Sequence, residues 1–567
     1  MVQFSKIKIA IILLIFILGI FGLAKISHAA TIYYVDATGG NNANDGISES
    51  SPWKTIAKVN SMSFNPGDTI LFKRGETWRE TLIIPSSGTS GHPITFGSYG
   101  IGAKPLILGS TQITNWEQSG TNIWRATLAV QPAQIWFVNT NGTVKWNWEK
   151  ATSAECISEY DWTWSSGYLI VNAPDDPDTR YKSIEADARK WCVKGKGSWG
   201  DYNNDWIIVQ DLECRYASDI SVPTALPIGI GFYTGSNNII QRCSVSYIGK
   251  LNGYTPVNEN KGMCISFRGN NNIAQNNVVH DCGGHGIEVM GSRSNNIIQN
   301  NEVYNCYHGS IESFAVNGGT QTGTIIRYNK IYRTADFDTR YSSNNIYVTS
   351  ESGGTNTGAQ IYYNVVYNLN TNGIQVRSQN KDTDIVTNVK IWNNTFYDMF
   401  PGSIVAALPN WGGTGAGIRL ENGAGSVDAQ NNIIVYTQAN GWANTALIIS
   451  NSANKTIDYN CYYLGGINVQ GYINQSQSYS TLAAQRIGHP EWDAHSISAN
   501  PLVVDPATFD FHLQTTSPCI DKGVNVELVS DYEGKLVPQE AGYDIGAYEY
   551  VGGDTTPPAA PSGVTVN

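Results

Sequence analysis

The amino-acid sequence predicts an all-β fold built from stacked, repeating coils. Two copies of one pattern follow each other within residues 273–314. Set 24 residues apart, the copies match at three positions: Asn277 with Asn301, Cys282 with Cys306, and Glu288 with Glu312. The composition is rich in Gly, Asn and Tyr with only 15% charged residues, which favours strands and turns. Repetition at a fixed period indicates a solenoid, in which each unit packs on its neighbours.

Residues 1–30 are predicted to be a signal peptide. Lys6 and Lys8 precede an apolar run over residues 9–24, and Ser-His-Ala at 27–29 offers small residues for cleavage. An uncleaved anchor is the alternative, and no other segment is apolar enough to span a membrane. We therefore expect a secreted or cell-surface protein, free of the membrane after cleavage and monomeric.

Charge argues against nucleic acid as a partner. Removing the signal takes away three lysines and no acidic residue, so the net charge falls from −11 to −14. Nucleic-acid-binding proteins instead carry basic surfaces. An acidic, Tyr- and Trp-rich exported protein fits a polysaccharide or oligosaccharide better.

Two segments before the regular coils differ from them. Residues 31–110 are expected to form an amino-terminal cap and the first coils, with a short helix within 53–62, because an uncovered first coil would expose its core and strand edges. Residues 111–190 contain seven tryptophans among short alternating runs, which predicts a small β-rich insertion. These aromatic side chains either pack the insertion's own core or line a sugar-binding surface.

Within residues 191–499, two columns of the repeat are nearly uniform. Stacked Asn amides can hydrogen-bond from coil to coil. This column contains Asp211, Cys243, Asn277, Asn301, Asn329, Asn364, Asn394, Asn432 and Asn460. Three residues further on, an aromatic column contains His280, Tyr304, Tyr332, Tyr367, Tyr397 and Tyr463. His280 is therefore predicted to stack rather than to take part in chemistry.

A recurrent Ile-x-Val-like strand forms the other half of each repeat, as in Ile287-Glu-Val and Ile374-Gln-Val. With a period of two, the first and third side chains face the core and the middle one faces outward. Asn ladders, coils of about 24 residues or more and this strand together resemble the pectate-lyase-like right-handed parallel β-helix superfamily. That superfamily includes lyases, hydrolases, esterases, epimerases and non-catalytic adhesins, so the resemblance implies the fold rather than one activity.

The carboxy-terminal part divides into two segments. Residues 500–551 resemble the carboxy-terminal cap of exported β-helix proteins, and Asp521, Asp544 and Glu549 within it are interpreted as structural. Residues 552–567 are a Pro-rich linker followed by what resembles the first strand of a fibronectin type III module.

The resemblance implies a substrate groove on the outer face of the Ile-x-Val sheet. One outward column is Gly231, Ser266, Glu288, Glu312, Tyr347, Gln375 and Arg419; the next is Tyr233, Arg268, Met290, Phe314, Thr349, Arg377 and Glu421. We expect Arg268, His308, Tyr347, Gln375, Arg377 and Arg419 to bind substrate. Long segments before the strands would supply the groove walls, including Trp411 in residues 400–416.

Glu288 and Glu312 are the candidate catalytic pair. Directly stacked, they would lie about 4.8 Å apart. Like charges this close leave one carboxyl protonated, which is the acid-and-carboxylate pair that glycoside hydrolysis uses. A separation of about 5 Å favours the retaining route. The alternative is that each Glu pairs with Arg268 or Arg293 on a solvated face.

His285 is the third candidate catalytic residue. Gly284-His285-Gly286 resembles the Gly-His-Gly motif of polygalacturonases, which implies that His285 lies beside the carboxylates. The preceding coils have Ile265-Ser-Phe-Arg and Ile230-Gly-Phe-Tyr in place of that family's Asn-Thr-Asp and Asp-Asp motifs. This departure places polygalacturonase activity itself in doubt.

Cys282 and Cys306 occupy one position of neighbouring repeats, within disulfide reach of each other. They are either bonded or part of a stack of buried thiols. No Cys or His spacing indicates a zinc site.

Three functions remain open at this point. The leading one is an exported glycoside hydrolase that needs no cofactor and acts on a polysaccharide. A calcium-assisted polysaccharide lyase is the second, with Arg268, Lys261 or Arg377 as the base and the two glutamates as metal ligands. A non-catalytic carbohydrate-binding protein or adhesin is the third.

Overall fold

Three long sheets wind around one core in the computed structural model. It describes residues 29–197, 204–218, 226–250, 262–334, 344–369, 372–399, 416–421, 423–437, 445–450, 454–465, 469–473 and 477–552. Most of the predicted signal and of the carboxy-terminal linker therefore lies outside the described residues. Among the described helices, none is both long enough and apolar enough to cross a membrane.

Each regular coil contributes one strand to each of three twelve-stranded sheets, here named A, B and C. Sheet A contains Ile32–Val35, Thr69–Lys73, Ile94–Tyr99, Ile207–Gln210, Ile239–Gln241, Ile273–Gln275, Ile297–Gln299, Ile325–Arg327, Gln360–Tyr362, Val389–Trp392, Val427–Gln430 and Lys455–Asp458. Sheet B contains Thr77–Trp78, Leu106–Leu108, Glu213–Arg215, Ser244–Ile248, Val278–Cys282, Glu302–Cys306, Lys330–Tyr332, Val365–Leu369, Thr395–Met399, Ile433–Tyr436, Cys461–Leu464 and Ile497–Ser498. Sheet C contains Leu82–Ile84, Trp191–Gly195, Ile228–Phe232, Met263–Phe267, His285–Met290, Gly309–Ala315, Asn344–Ser350, Ile374–Ser378, Ala416–Glu421, Thr445–Ile449, Val469–Ile473 and Gln477–Tyr479.

These strands pair in parallel from coil to coil, except that Gln477–Tyr479 pairs antiparallel with Val469–Ile473 at one end of sheet C. The interior is lined by residues such as Ile265, Ile287 and Ile311, all with no exposed surface. The predicted right-handed parallel β-helix is therefore confirmed.

A hydrogen-bonded asparagine ladder fixes the turn between sheets A and B. The backbone N–H of Asn277 donates to Oδ1 of Asn301 at 3.0 Å, and the same contact continues from Asn301 to Asn329. Each amide also donates Nδ2, for example from Asn301 to the carbonyl of Ala274 at 3.0 Å. The residue before the ladder Asn has the left-handed backbone conformation, with φ +54° at Asn300. The turn therefore depends on this left-handed residue as well as on the ladder Asn.

The predicted columns are confirmed with one correction. Sheet B pairs Glu213 with Ser244, which places Leu212 rather than Asp211 beside Cys243 in the ladder. His280 stacks on Tyr304 with ring centroids 4.6 Å apart, as predicted. The chain length between coils varies. In a coil whose ladder position is not Asn, counting residues therefore predicts Asp211 in place of Leu212.

Smaller elements complete the described chain. The helices are Ile56–Asn60, Pro177–Arg180 and Leu482–Gly488, with 3-10 turns at Ser153–Glu155 and Pro506–Thr508. A three-stranded sheet contains Thr320–Thr322, Thr355–Thr357 and Ile385–Thr387, and a hairpin joins Val503–Asp505 to Asp510–Leu513. The short helix predicted near Trp53 is thus Ile56–Asn60, where Thr55 caps the amino end.

Residues 110–187 form two antiparallel four-stranded sheets outside the coils. One contains Ser110–Ile113, Ile135–Asn139, Val144–Lys145 and Tyr181–Asp187; the other contains Glu117–Gly120, Ile123–Thr127, Trp162–Ser165 and Tyr168–Asn172. Trp116 and Trp162 lie in a core that belongs to this insertion. Trp136 and Trp146 instead pack on the coils, against Tyr216 and Tyr307.

The carboxy-terminal described residues cover the last coil and then a side of the β-helix. Leu482 and Trp492 join the main core beside the helix Leu482–Gly488. Beyond it, Phe511 packs on Tyr397 with ring centroids 5.0 Å apart. Asp544 accepts hydrogen bonds from the backbone N–H groups of Asp521 and Tyr550. These contacts agree with the interpretation of Asp544 as a structural residue.

Neither alternative for Cys282 and Cys306, a mutual disulfide or a stack of buried thiols, holds for both residues. Cys282 does lie beside Cys306 in sheet B, but its disulfide is with Cys264, and Cys306 is a buried free thiol. Cys264 lies on a strand of sheet C, and its side chain bonds to Cys282 of sheet B, with the Cα atoms 6.0 Å apart. A repeat alignment compares positions within one sheet, so it cannot find a pair that joins two sheets.

Candidate functional site

The outer face of sheet C carries the predicted column in register. The residues run Gly231, Ser266, Glu288, Glu312, Tyr347, Gln375 and Arg419, each paired with the next. They face outward because the alternate residues, such as Ile287 and Val289, are in the core. Glu288 and Glu312 are therefore direct neighbours on adjacent strands.

The two carboxylates lie close together with His285. One ligand atom from each of the three side chains lies within 4.8 Å of the other two. His285 Nε2 is 3.1 Å from Glu312 Oε2, and the Ser266 hydroxyl donates to Glu288 Oε2 at 3.0 Å. Glu288 and Glu312 are each only 3% exposed, so the face around them is not solvated as the alternative assumed; the pairing of each Glu with a cation stays a prediction.

The two histidines meet beside this pair. The rings of His285 and His308 have centroids 4.5 Å apart at an angle of 70°. His308, a predicted substrate-binding residue, therefore lies against His285 beside the carboxylate pair.

Chain connections around the pair are short. Only two residues link sheet B to sheet C before the strand His285–Met290, and only two before Gly309–Ala315. The coils on either side have longer connections, from Ile248 to Met263 and from Tyr332 to Asn344. Much of these longer connections lies outside the described residues, as does Trp411, so their predicted role as walls remains a prediction.

Gly286 explains part of the Gly-His-Gly motif. A Cβ built on Gly286 would lie 2.5 Å from the carbonyl oxygen of Ser310 and 2.7 Å from Cγ1 of Val303. No side chain fits at this corner of the core. The second glycine of the motif therefore has a packing cause, whatever the role of His285.

Tyr347 and Arg377 lie on the next coils along the face. Arg377 Nη1 donates to the Tyr347 hydroxyl at 3.4 Å. Burial raises the pKa of this tyrosine, and the negative charge of Glu312 adds to the effect. Tyr347 is thus a neutral hydrogen-bonding group beside the carboxylate pair.

Gln375 and Arg419 meet at Glu421, a contact that the sequence did not reveal. Gln375 Nε2 donates to Glu421 Oε2 at 2.7 Å, and Arg419 forms an ion pair with the same carboxylate. Asn372 Nδ2 donates to Gln375 Oε1 at 3.2 Å. The sequence did contain one signal for this contact. Glu421 follows Arg419 by two residues, and residues two apart in a strand lie on the same face.

On the other side of the carboxylates, Arg268 lies over the ring of Tyr233 at 4.1 Å. Trp191 contacts Tyr233 edge to face, with centroids 6.0 Å apart. This end of the face is therefore aromatic and basic.

An aromatic contact brings the insertion near the site. Trp146 packs against Tyr307 with ring centroids 6.1 Å apart, and Tyr307 directly precedes His308. The interpretation that some insertion aromatics line a sugar-binding surface stays a prediction.

His285, Glu288 and Glu312 could also hold a divalent cation, because each offers a ligand atom. One imidazole nitrogen with two carboxylates suits zinc or manganese, whereas calcium prefers oxygen ligands throughout.

Comparison with known proteins gives a local sequence match and a match over the whole fold. No family model matches the chain. A lacto-N-biosidase from Bifidobacterium longum subsp. longum is 34% identical over 102 residues, which are 17% of this chain and only 6% of that protein. A solved structure of XylC with xylose superimposes with a TM-score of 0.58 at 15% identity, over 92% of this chain and 98% of that one. Pectate lyase Pel9A gives a TM-score of 0.49 at 14% identity, over 92% and 97%.

The match with the XylC structure extends over the whole fold, a parallel β-helix in which sheet C carries the candidate site.

Proposed function

We propose that this protein is an exported glycoside hydrolase that cleaves a polysaccharide or oligosaccharide on the outer face of sheet C. The observation that carries the proposal is the buried pair of Glu288 and Glu312 on adjacent strands, with His285 in contact. The local similarity to a lacto-N-biosidase supports action on carbohydrate. The predicted signal over residues 1–30 supports export.

The contacts suggest different roles for the two glutamates. Glu312 lies 3.1 Å from His285 Nε2, and a protonated imidazole favours an ionised neighbour. Glu288 accepts a hydrogen bond from the hydroxyl of Ser266, a neutral donor that favours the ionised form less than a charged imidazole would. We assign Glu312 as the nucleophile and Glu288 as the acid that protonates the leaving oxygen.

The stereochemical outcome at the anomeric carbon follows from the distance between the two carboxyl groups. One oxygen of each carboxyl group lies within 4.8 Å of the other, which is nearer the roughly 5 Å spacing of retaining enzymes than the roughly 6.5–9.5 Å spacing of inverting ones. We therefore expect a covalent glycosyl intermediate on Glu312 and retention at the anomeric carbon.

A product assay on neutral and acidic polysaccharides tests the activity first. New reducing ends without an ultraviolet-absorbing product would support hydrolysis, and their loss in Glu312→Gln would assign the pair. Aryl glycosides of the released sugar then separate the roles. A good leaving group needs no acid, so Glu288→Gln should retain activity on them and Glu312→Gln should not.

The donor set of His285, Glu288 and Glu312 favours a second candidate, a metal-assisted polysaccharide lyase. In that case an unsaturated product would form and would disappear with a chelator. Restoration by zinc or manganese rather than calcium would match the imidazole ligand.

A further inference from the structure

A buried hydrogen-bonded network lies on the outer face of sheet C, beyond the carboxylate pair. Glu421 is at its centre. Its Oε2 accepts a hydrogen bond from Gln375 Nε2 at 2.7 Å, and its Oε1 accepts one from Arg419 Nε at 2.5 Å. On the other side of the amide, Asn372 Nδ2 donates to Gln375 Oε1 at 3.2 Å. Both oxygens of the Glu421 carboxylate are therefore engaged by neighbouring side chains.

The network fixes the orientation of the Gln375 amide. A carboxylate only accepts hydrogen bonds, so the amide nitrogen faces Glu421 and the amide oxygen faces Asn372. Asn372 is itself held in place, because its Oδ1 accepts a hydrogen bond from the backbone N–H of Ala416 at 3.0 Å. An amide nitrogen carries two hydrogens, and among the described residues only Glu421 accepts one of them from Gln375. The second N–H of Gln375 can therefore bind a ligand.

Gln375 lies close to the reaction centre. It is paired in register with Tyr347, which is paired in turn with Glu312. Two strand spacings, roughly 9.6 Å, therefore separate the Cα atoms of Gln375 and Glu312. Gln375 is 5% exposed, comparable with the 3% of Glu312, so both belong to one enclosed part of the face. A glycan that lies along this face and reacts at Glu312 therefore passes Gln375.

Glu421 also sets the charge of this part of the face. It forms an ion pair with Arg419, and it is paired in register with Arg377 on the adjacent strand. The pKa of Arg377 is raised although burial acts against this, because Tyr347 and Glu421 lie nearby. A carboxylate of the protein thus lies next to two arginines, where the carboxylate of an acidic sugar would otherwise bind.

We propose that Glu421 is a specificity-determining residue that excludes acidic sugars from this part of the face and positions Gln375 to hydrogen-bond a hydroxyl group of a neutral sugar. A ligand carboxylate beside Gln375 would meet the like charge of Glu421, whereas a hydroxyl oxygen accepts the second N–H of Gln375 without that repulsion. The inference rests on the proposed function, because it takes Glu312 as the reaction centre, and it makes the substrate a neutral glycan.

Binding measured without cleavage tests this inference separately from the activity. Fluorescently labelled Glu312→Gln protein would be applied to an array of neutral glucan, xylan, mannan and galactan oligosaccharides and of acidic pectin and alginate fragments. The oligosaccharides that bind would then be titrated calorimetrically. We expect neutral oligosaccharides to bind. Adding Gln375→Ala should weaken that binding about tenfold, because a hydrogen bond to the sugar is lost.

Adding Glu421→Gln should shift the preference toward the acidic fragments. This change removes the negative charge beside Arg377 and Arg419 but keeps the shape of the side chain. A residue with a structural role alone would weaken both kinds of ligand together. Gln375→Ala leaves the ion pair intact, so it still tests the inference if the Glu421→Gln protein fails to fold.

Two matched controls lie away from this face. Glu302 is on sheet B and accepts a hydrogen bond from the Tyr332 hydroxyl at 2.8 Å. Gln299 is on sheet A, where its Nε2 donates to Gln275 Oε1 at 2.8 Å. Glu302→Gln and Gln299→Ala should each leave binding unchanged.

Preferential binding of the acidic fragments, binding of no arrayed sugar, unchanged affinity in Gln375→Ala, or a folded Glu421→Gln protein without the shift would overturn the inference. Cleavage of a neutral glycan with unchanged affinity in both variants would do so while leaving the proposed hydrolase intact. Neutral binding with the expected shift, but without release of products by the wild type, would support the inference and remove the hydrolase.

Discussion

The same two coils carry both the most uniform and the least uniform positions of the molecule. In the turn between sheets A and B, Asn277 and Asn301 repeat a residue that continues through Asn460. On the outer face of sheet C, Glu288 and Glu312 lie between Ser266 and Tyr347, and no residue type extends beyond these two coils in the column.

The difference has a physical cause. Every coil has the same backbone turn to satisfy, so the ladder position has the same requirement in each coil and Asn recurs. The outer face of sheet C is not needed to close the coil, so its side chains are free to vary. Two polar residues that differ in type from the rest of their column are therefore better functional candidates than a polar residue that recurs along a column.

Replacing Glu312 by Gln should have the largest effect on function. We expect the hydrolysis rate to fall roughly 10³-fold with the unfolding midpoint little changed, because the carboxylate is lost but its shape is kept. Glu302→Gln is the control, since Glu302 lies on the same coil in sheet B and accepts a hydrogen bond from Tyr332 at 2.8 Å. Equal activity of both variants would exclude Glu312 from catalysis.

Replacing Asn301 by Ala should have the opposite profile. It leaves the buried N–H of Asn277 without its acceptor and removes the bonds to Ala274 and Asn329, at an expected cost of about 2–4 kcal/mol in the free energy of unfolding. Urea unfolding measures this change, and activity per folded molecule should match the wild type. A lower activity per folded molecule would mean that the ladder also shapes the site.

Gly286→Ala should separate packing from chemistry within the Gly-His-Gly motif. The new methyl group overlaps the Ser310 carbonyl and Val303, so we expect a loss of about 1–3 kcal/mol. Gly120→Ala is the control, because its Cβ would lie 3.4 Å from Ile123 on an exposed strand. Unchanged stability of Gly286→Ala would show that the coil corner can widen.

The smallest expected effect concerns pH and the carboxy-terminal segment. Burial raises the pKa of Glu549 to about 7 and that of Asp544 to about 6. Both acids bind protons more tightly in the folded state, so their contribution to stability is greatest below pH 4 and is lost as pH rises through 6 and 7. Thermal unfolding from pH 4 to pH 8 measures it, and Glu549→Gln should flatten the curve; a wild-type slope in the variant would contradict the assignment.

Several site contacts follow from the sequence because a parallel coil places equal repeat positions side by side. Thus Glu288 beside Glu312, and His280 stacked on Tyr304, follow from counting residues. The same counting could not detect Cys264 bonded to Cys282, or Gln375 bonded to Glu421, because those pairs occupy different repeat positions.

Counting residues along the repeat also could not predict how deeply the glutamates are buried. Period two shows that Glu312 points away from the core, and an outward residue on a sheet is ordinarily solvated. Its 3% exposure and its contact with His285 depend on how neighbouring side chains fill the outer face. That filling differs from coil to coil.

The sequence by itself determined the fold class, the coil repeat and the adjacency of the two glutamates, because these depend on local periodicity and on the parallel stacking of coils. Only the tertiary structure decided that the pair is buried beside His285, that the disulfide joins sheets B and C, and that Gln375 and Arg419 meet at Glu421. Those features depend on side chains from different sheets and turns meeting in space, which no repeat period encodes.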